Sequence, residues 1–193
     1  MMLDKEYYIV TGSSSGLGKN VVSNMKTLGF NTLGIDLVDG EGTDLKIDLS
    51  TLSKENIDEI KQYLGGSKIK SIIHCAAIQK NPNNNFESLS ETFDKVFGVN
   101  IKSIYIFIKM LEDSFHTFSS ICLISSVHAE ATTENDTLYA SSKAALKGIL
   151  RGVTLEKKDK MSIFELVLGA MNSPMLFNNL DKKELEELKN ELP

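Results

Sequence analysis

The sequence has few of the residues that build cross-linked or metal-stabilised proteins. It contains only two cysteines, Cys75 and Cys122, and both lie in apolar runs typical of strands. Two cysteines placed in this way form neither a disulfide framework nor the spacing of a zinc site. We therefore expect two reduced, buried thiols and no bound metal.

Basic residues and long apolar runs are also scarce. Lysine and arginine number 21 against 26 aspartates and glutamates, and no basic stripe is present to attract a phosphate backbone, so nucleic acid is not an expected partner. The longest apolar stretch, residues 104–111, is too short to span a bilayer and contains Lys109. The chain starts without the apolar core of a signal peptide. These features predict a cytoplasmic protein with no membrane partner.

The remaining composition, 41% hydrophobic and 24% charged over 193 residues, is that of one globular domain covering residues 1–193. Apolar runs alternate with helical patterns, which predicts an α/β fold with a doubly wound parallel sheet between two helical layers. The predicted strands are residues 7–11, 31–35, 45–47, 71–75, 120–124 and 161–168. The first predicted helix ends at Gly29. The others span residues 50–64, 86–115 with a bend near Gly98, 138–158 and 176–192.

A serine- and glycine-rich loop follows the first predicted strand. Residues 12–18 read GSSSGLG and lead into a helix. Glycines at this position let the backbone turn sharply and approach a ligand, while the helix N-terminus offers partial positive charge to a pyrophosphate. The alternative is a flexible serine-glycine turn. The candidate cofactor-binding residues here are Gly12, Ser14, Ser15, Gly16, Leu17 and Gly18.

Two aspartates follow the next two predicted strands. Asp36 lies eighteen residues past Gly18, where a carboxylate can accept hydrogen bonds from both ribose hydroxyls and repels a 2′-phosphate. No lysine or arginine is placed to receive that phosphate, so the sequence predicts NAD rather than NADP. The alternative is that Asp36 only caps the turn after the strand. Asp48 either bonds the adenine amino group or serves as a turn residue, and the sequence does not separate these two roles.

A tyrosine and a lysine lie four residues apart on a predicted helix. Tyr139 and Lys143 therefore share one helix face, and an ammonium beside a phenol favours the phenolate. Ser126 lies thirteen positions earlier at a strand end, from which a loop brings its hydroxyl alongside. Taken alone, the pattern occurs by chance in many proteins and favours a solvated tyrosine and a solvated lysine.

Together, Thr11 to Gly18 (Thr-Gly-x-x-x-Gly-x-Gly), Ser126, Tyr139 and Lys143 resemble the short-chain dehydrogenase/reductase family over essentially the whole chain. The resemblance implies a Rossmann-type sheet and nicotinamide chemistry on a carbonyl or alcohol. It implies that Asn100 supports a proton relay as the fourth catalytic candidate, and that the protein is a homo-oligomer, a dimer or tetramer. Further cofactor-binding candidates implied by it are Leu49, Cys75, Ala76, Ala77, Gly169 and Ser173.

The chain departs from the family pattern at three places. Residues 74–77 read His-Cys-Ala-Ala where Asn-Asn-Ala-Gly is usual, and His74 is expected to be a core residue. Ser173 stands where a threonine is usual, in a loop without the usual proline. The chain is also some fifty residues short, so we expect either a shortened member lacking a seventh, edge strand or an incomplete sequence. Strand six would then be an exposed edge.

These patterns support an NAD(H)-dependent oxidoreductase acting on a small carbonyl or alcohol. Tyr139 is its general acid and base, Lys143 lowers the tyrosine pKa, and Ser126 bonds the reacting oxygen. A non-catalytic dinucleotide-binding protein, such as a sensor or partner subunit, is the first alternative, and an epimerase or dehydratase with tightly held NAD is the second. Residues expected to border the substrate are Ile78, Gln79, His128, Glu130 and 171–177.

Overall fold

The computed structural model describes residues 5–157 and 160–179 and contains one six-stranded sheet. All strand pairs are parallel, in the order β3-β2-β1-β4-β5-β6. The strands are β1 Glu6–Thr11, β2 Thr32–Asp36, β3 Leu45–Lys46, β4 Lys68–His74, β5 Phe115–Ser126 and β6 Met161–Leu168. This order is that of a Rossmann-type fold, and it confirms the predicted α/β class.

The helices lie between the strands in the predicted alternation. They are α1 Gly16–Thr27, α2 Lys54–Leu64, α3 Phe86–Phe97, α4 Ser103–Met110, α5 Thr137–Lys157 and α6 Pro174–Asn179. Most side chains of β1, β2, β4 and the carboxyl half of β5 are buried, and the core also includes Ile57, Ile60, Phe107 and Leu146. Helices therefore cover the central strands, as their continuous apolar sequences predict.

Two predicted helices are shorter than the sequence suggested. The helix expected from residue 50 begins at Lys54, because Ser53 and Asn56 form a reciprocal capping box. The helix expected over 86–115 changes to a π-helical segment at Gly98–Lys102 and ends at Met110. A Cβ on Gly98 would lie 2.9 Å from the carbonyl oxygen of Ser50, so glycine lets the two segments touch at the predicted bend.

The two edges of the described sheet differ. The β3 edge has two residues, one fewer than predicted, whereas β6 has eight and pairs only with β5 within the described sheet. Phe164 and Leu166 on β6 are each almost half exposed. Of the helix predicted over 176–192, only the start belongs to α6, and residues 180–193 lie outside the described residues.

The carboxyl ends of β1 and β4 mark the point where the strand order reverses. The chain leaves β1 towards β2 on one side of the sheet and then crosses to β4 on the other. Connections diverge at this point and leave a crevice between them, which is where open α/β sheets bind ligands. Among the described residues, no helix has the length and apolar character needed to cross a membrane.

Candidate active site

A cavity of about 880 Å³ lies at the carboxyl ends of the strands. It extends from the loop after β1 to the start of α5 and the segment after β6. All sixteen residues predicted to bind the cofactor line it. They are Gly12, Ser14, Ser15, Gly16, Leu17, Gly18, Asp36, Asp48, Leu49, Cys75, Ala76, Ala77, Tyr139, Lys143, Gly169 and Ser173.

The glycine loop is closed tightly against its surroundings. Gly12 has a φ of 71°, and a Cβ there would lie 2.8 Å from the backbone nitrogen of Ala76. A Cβ on Gly18 would lie only 2.1 Å from the carbonyl oxygen of Gly12. Side chains at these positions would collide with backbone atoms, so the loop keeps its shape only with glycine.

The start of α1 faces this cavity with its backbone donors available. Ser15 is the N-cap residue but makes no side-chain capping bond, and the first turn holds no acidic residue. The first N–H groups of a helix lack partners within the helix and carry partial positive charge. This donor set fits the pyrophosphate of a dinucleotide.

Both candidate aspartates contact backbone groups beside the cavity. Asp36 Oδ2 accepts a hydrogen bond from the Ser14 backbone nitrogen at 2.8 Å, and its Oδ1 accepts one from Val38 at 3.2 Å. Asp48 Oδ1 accepts bonds from the backbone nitrogen and the hydroxyl of Ser50 at 2.8 and 2.7 Å. Asp48 therefore has the capping contacts of a turn residue, and both carboxylates line the cavity.

His74 is a buried residue behind the glycine loop, as expected. Its Nδ1 lies 2.9 Å from the hydroxyl of Thr11, which also accepts a hydrogen bond from the Ala76 backbone nitrogen at 3.1 Å. Burial, together with the nearby positive charge of Lys143, lowers the pKa of His74 to about 3. The imidazole is therefore neutral and joins the ends of β1 and β4.

Tyr139 and Lys143 lie on the opposite wall, on the first turns of α5, with Ser126 at the end of β5. The Tyr139 side chain is 9% exposed, and the Lys143 side chain is 2% exposed. Lys143 Nζ donates a hydrogen bond to the Ile124 carbonyl oxygen at 2.8 Å and lies 5.6 Å from the centre of the Tyr139 ring. The three side chains meet in one cavity.

The electrostatics of this pair differ from the expectation. Burial raises the pKa of Tyr139, a hydrogen bond with Ser126 acts in the opposite direction, and the Asp136 carboxylate raises the pKa further. Burial also lowers the pKa of Lys143 to about 8. Withdrawal from water is thus the largest effect on the pKa of Tyr139, and Lys143 does not by itself bring that pKa down to neutral values.

Asn100 lies behind the cavity wall, fully buried in the π-helical segment. Its Oδ1 accepts a hydrogen bond from the Ile78 backbone nitrogen at 2.8 Å, and its Nδ2 donates to the Ile78 carbonyl oxygen at 3.0 Å and the Ser142 hydroxyl at 2.8 Å. Asn100 thereby ties the loop after β4 to α5, on the residue next to Lys143.

A second polar cluster surrounds Asp136, immediately before α5. Its Oδ1 accepts a hydrogen bond from Gln79 Nε2 at 2.8 Å, and its Oδ2 accepts one from the Thr133 hydroxyl at 3.0 Å. The ring of His128 lies beside this carboxylate and packs edge-on against the Tyr139 ring, with 5.8 Å between centroids. The cluster therefore borders the tyrosine through the His128 ring.

Comparison with known proteins agrees with this geometry. The family model described as "short chain dehydrogenase" matches residues 6–184. The chain belongs to the short chain dehydrogenase family. One protein to which the chain is similar is acetoacetyl-CoA reductase of Synechocystis. The two are 27% identical over 163 residues, which cover 80% of this chain and 66% of the relative. Another is the 3-oxoacyl-acyl-carrier-protein reductase FabG of Buchnera aphidicola, 25% identical over 175 residues, covering 83% and 70%.

Solved structures share the fold of this short chain dehydrogenase. The ligand-free aldohexose dehydrogenase of Thermoplasma acidophilum superposes with a TM-score of 0.80 at 22% identity, over 95% of this chain and 76% of that one. This likeness establishes the arrangement of strands and helices. The chain spans about two thirds of the length of the curated relatives it matches.

Some expectations for this short chain dehydrogenase need correction. Cys75 is half-buried in the cavity wall rather than buried, although burial still raises its pKa to about 12. Glu130, expected to border the substrate, pairs with Lys147 and does not line the cavity. The sequence analysis missed Asp136, whose position before the first residue of α5 was the available signal.

Proposed function

We propose that this oxidoreductase transfers hydride between NAD(H) and a small carbonyl or alcohol, with Tyr139 as general acid and base. The supporting observation is that Ser126, Tyr139 and Lys143 line the same cavity as the glycine loop. A nucleotide held at the loop and a reacting carbon held at the tyrosine would then share one enclosed space. Bringing the two partners together in this way accounts for much of the rate that an enzyme supplies.

Each side chain has a separate task in the proposed reaction. The glycine loop and Asp36 would hold NAD, which would supply the hydride acceptor for oxidation of the alcohol carbon. The hydroxyl proton passes to the ionised oxygen of Tyr139, and in the reverse direction Tyr139 returns it to the carbonyl oxygen. Ser126 hydrogen-bonds that oxygen as its charge changes, and Lys143 carries the positive charge that favours the phenolate. Asn100 positions α5 through Ser142.

The Tyr139→Phe variant tests this function. Removing the phenolic oxygen removes the proton transfer, so we expect turnover to fall by about 10²–10⁴-fold. The NADH dissociation constant, measured by fluorescence titration, should stay within about twofold. Tyr105→Phe, a change to an exposed tyrosine on α4, is the matched control and should leave both quantities unchanged. Unaltered turnover in Tyr139→Phe would rule out the proposed role.

We also propose a preference for NAD over NADP. Asp36 lines the cavity, and the only lysines among the described lining residues are Lys95 and Lys143. Lys95 pairs with Glu91, and Lys143 Nζ lies beside the Tyr139 ring. A 2′-phosphate near Asp36 would therefore meet a carboxylate, and the described cavity-lining residues offer no unpaired cation beside it.

The Asp36→Asn variant tests this preference. A hydrogen bond to a charged group contributes about 1.5–3 kcal/mol, so NADH binding should weaken by about 10–100-fold while NADPH binding improves relative to it. Fluorescence titration of both cofactors measures the change. Asp39→Asn, at an exposed aspartate paired with Lys46, should leave the ratio as it is. A wild-type preference for NADPH would refute the proposal.

A non-catalytic dinucleotide-binding protein is the second candidate. It is favoured by the raised pKa of Tyr139, which opposes proton transfer at neutral pH, and by the hydrogen bond that Lys143 Nζ donates to the Ile124 carbonyl oxygen. The two curated relatives reduce acetoacetyl-CoA and 3-oxoacyl-acyl-carrier-protein, so 3-oxoacyl thioesters belong in the substrate panel beside simple ketones and alcohols. NADH binding without turnover on any of them would support this second candidate.

A further inference from the structure

His128 is held from one side of its ring. Its Nδ1 lies 3.1 Å from the Thr132 hydroxyl oxygen and 3.7 Å from Asp136 Oδ2. Its backbone nitrogen donates a hydrogen bond to the Ser126 hydroxyl at 3.2 Å. Ring and backbone are thus both fixed relative to the candidate catalytic serine.

The hydrogen bonds around Thr132 favour one position for the hydrogen of the neutral imidazole. The Thr132 hydroxyl donates a long hydrogen bond to the Thr133 carbonyl oxygen at 3.4 Å, which leaves its oxygen as an acceptor towards His128. This arrangement favours Nδ1 as the donor. The neighbouring Asp136 carboxylate favours a hydrogen on the same nitrogen, as carboxylates beside histidines commonly do. In the neutral ring Nε2 is left with a lone pair.

Nε2 lies on the far side of the ring from Asp136. No hydrogen-bond partner for it occurs among the described residues of the chain, and His128 lines the cavity beside Tyr139. The Asp136 side chain is itself only 13% exposed, with its two oxygens bonded to Gln79 and Thr133. The supporting carboxylate is therefore locked in place, which fixes the orientation of the imidazole.

We propose that His128 Nε2 is a hydrogen-bond acceptor for a second hydroxyl of the substrate, adjacent to the reacting alcohol carbon. This inference rests on the proposed function and names its substrate class: vicinal diols and polyhydroxylated compounds. Asp136 and Thr132 are positioning residues for the imidazole. A substrate oxygen that can only accept, such as the thioester carbonyl of a 3-oxoacyl group, would face a lone pair and bind poorly there.

A pair of substrates that differ by one hydroxyl tests the proposal. We expect wild-type protein with NAD to oxidise cis-cyclohexane-1,2-diol with a kcat/KM about 10–100-fold above that for cyclohexanol, the size of one hydrogen bond with a partly buried partner. His128→Ala should abolish this ratio, because only the diol loses a hydrogen bond, whereas the lost packing against Tyr139 affects both substrates alike. His116→Ala, at an exposed histidine at the other end of β5, should leave the ratio unchanged.

The tautomer provides a readout that does not depend on turnover. The sequence has three histidines, and long-range proton–nitrogen NMR spectra of the wild type and of His128→Ala assign the signals of His128. We expect the Nδ1–H form in the wild type and a loss of that preference in Asp136→Asn, with a reduced diol ratio.

The outcomes separate this inference from the proposed function. Turnover of cyclohexanol as fast as the diol, or an Nε2–H tautomer in the wild type, would overturn the acceptor role and leave the hydride-transfer function intact. NADH binding with no turnover of the diol, cyclohexanol or acetoacetyl-CoA would overturn both.

Discussion

The two ends of the cavity are built from different parts of the polypeptide. The cofactor end is made of backbone: glycines pressed against main-chain atoms and the uncapped start of α1. The substrate end is made of side chains from several elements, joined by hydrogen bonds such as those of Asn100 and Asp136. The first end therefore depends on the space available to each residue, and the second depends on the partners that each polar group finds.

This difference predicts different failures when residues are changed. A backbone-lined site tolerates no added atoms, because a new Cβ meets atoms that cannot rotate away. A side-chain network instead loses stability when one member is removed, since buried groups are left without partners. Substitutions that add a methyl group at one end and delete an amide at the other test the comparison directly.

The largest effect is expected at the cofactor end, from Gly18→Ala. The added Cβ would lie 2.1 Å from the Gly12 carbonyl oxygen, so the loop or the start of α1 must shift. We expect a loss of about 3 kcal/mol or more in the free energy of unfolding, measured in urea, and loss of NADH binding in the fluorescence titration.

The matched control is Gly148→Ala in the middle of α5. A Cβ there would meet no atom within 4 Å, so replacing glycine inside a helix should stabilise the protein by about 0.5–1 kcal/mol. Similar effects of the two substitutions would show that steric closure is not what preserves the cofactor end.

A smaller effect is expected at the substrate end, from Asn100→Ala. The substitution leaves the Ile78 backbone groups and the Ser142 hydroxyl without their partner, which should cost about 2 kcal/mol of unfolding free energy. Turnover should fall while the NADH dissociation constant changes little, because the glycine loop is untouched. Asn24→Ala, which removes an exposed bond to the Asn20 carbonyl oxygen, should change neither. Weakened NADH binding with normal turnover would reverse the assignment of the two ends.

The same contrast explains what could be predicted from the sequence. The glycine loop and Asp36 are recognisable because each needs a particular residue type at a fixed distance along the chain, between a strand and a helix. Tyr139 and Lys143 are recognisable for the same reason, since four residues on one helix fix their relative position. The spacing of residues along the chain therefore identified these parts of the cavity wall.

Other parts of the site depend on contacts between residues far apart in sequence. The bond between Gln79 and Asp136 joins positions 57 residues apart, and the one between Thr11 and His74 joins positions 63 apart. No local pattern marks such partners: the place of Asp136 before α5 was recognisable, but its bond with Gln79 was not. The raised pKa of Tyr139 was missed for a related reason, because burial is set by the packing of α5 against β5 and β6 rather than by neighbours in sequence.

The last predicted effect concerns the buried His74, and it is the smallest when expressed per pH unit. Its folded pKa of about 3 is below the ordinary value of 6.5, so between these pH values the unfolded chain binds up to one more proton than the folded protein. Stability should therefore fall on acidification, by up to about 1.4 kcal/mol per pH unit. His74→Asn removes this titration, and urea unfolding at pH 4, 5, 6 and 7 should show a shallower loss than in the wild type. His116→Asn, at an exposed histidine, should keep the wild-type slope. If the stability of His74→Asn fell on acidification as steeply as that of the wild type, the burial of a neutral His74 would not be the source of the pH dependence.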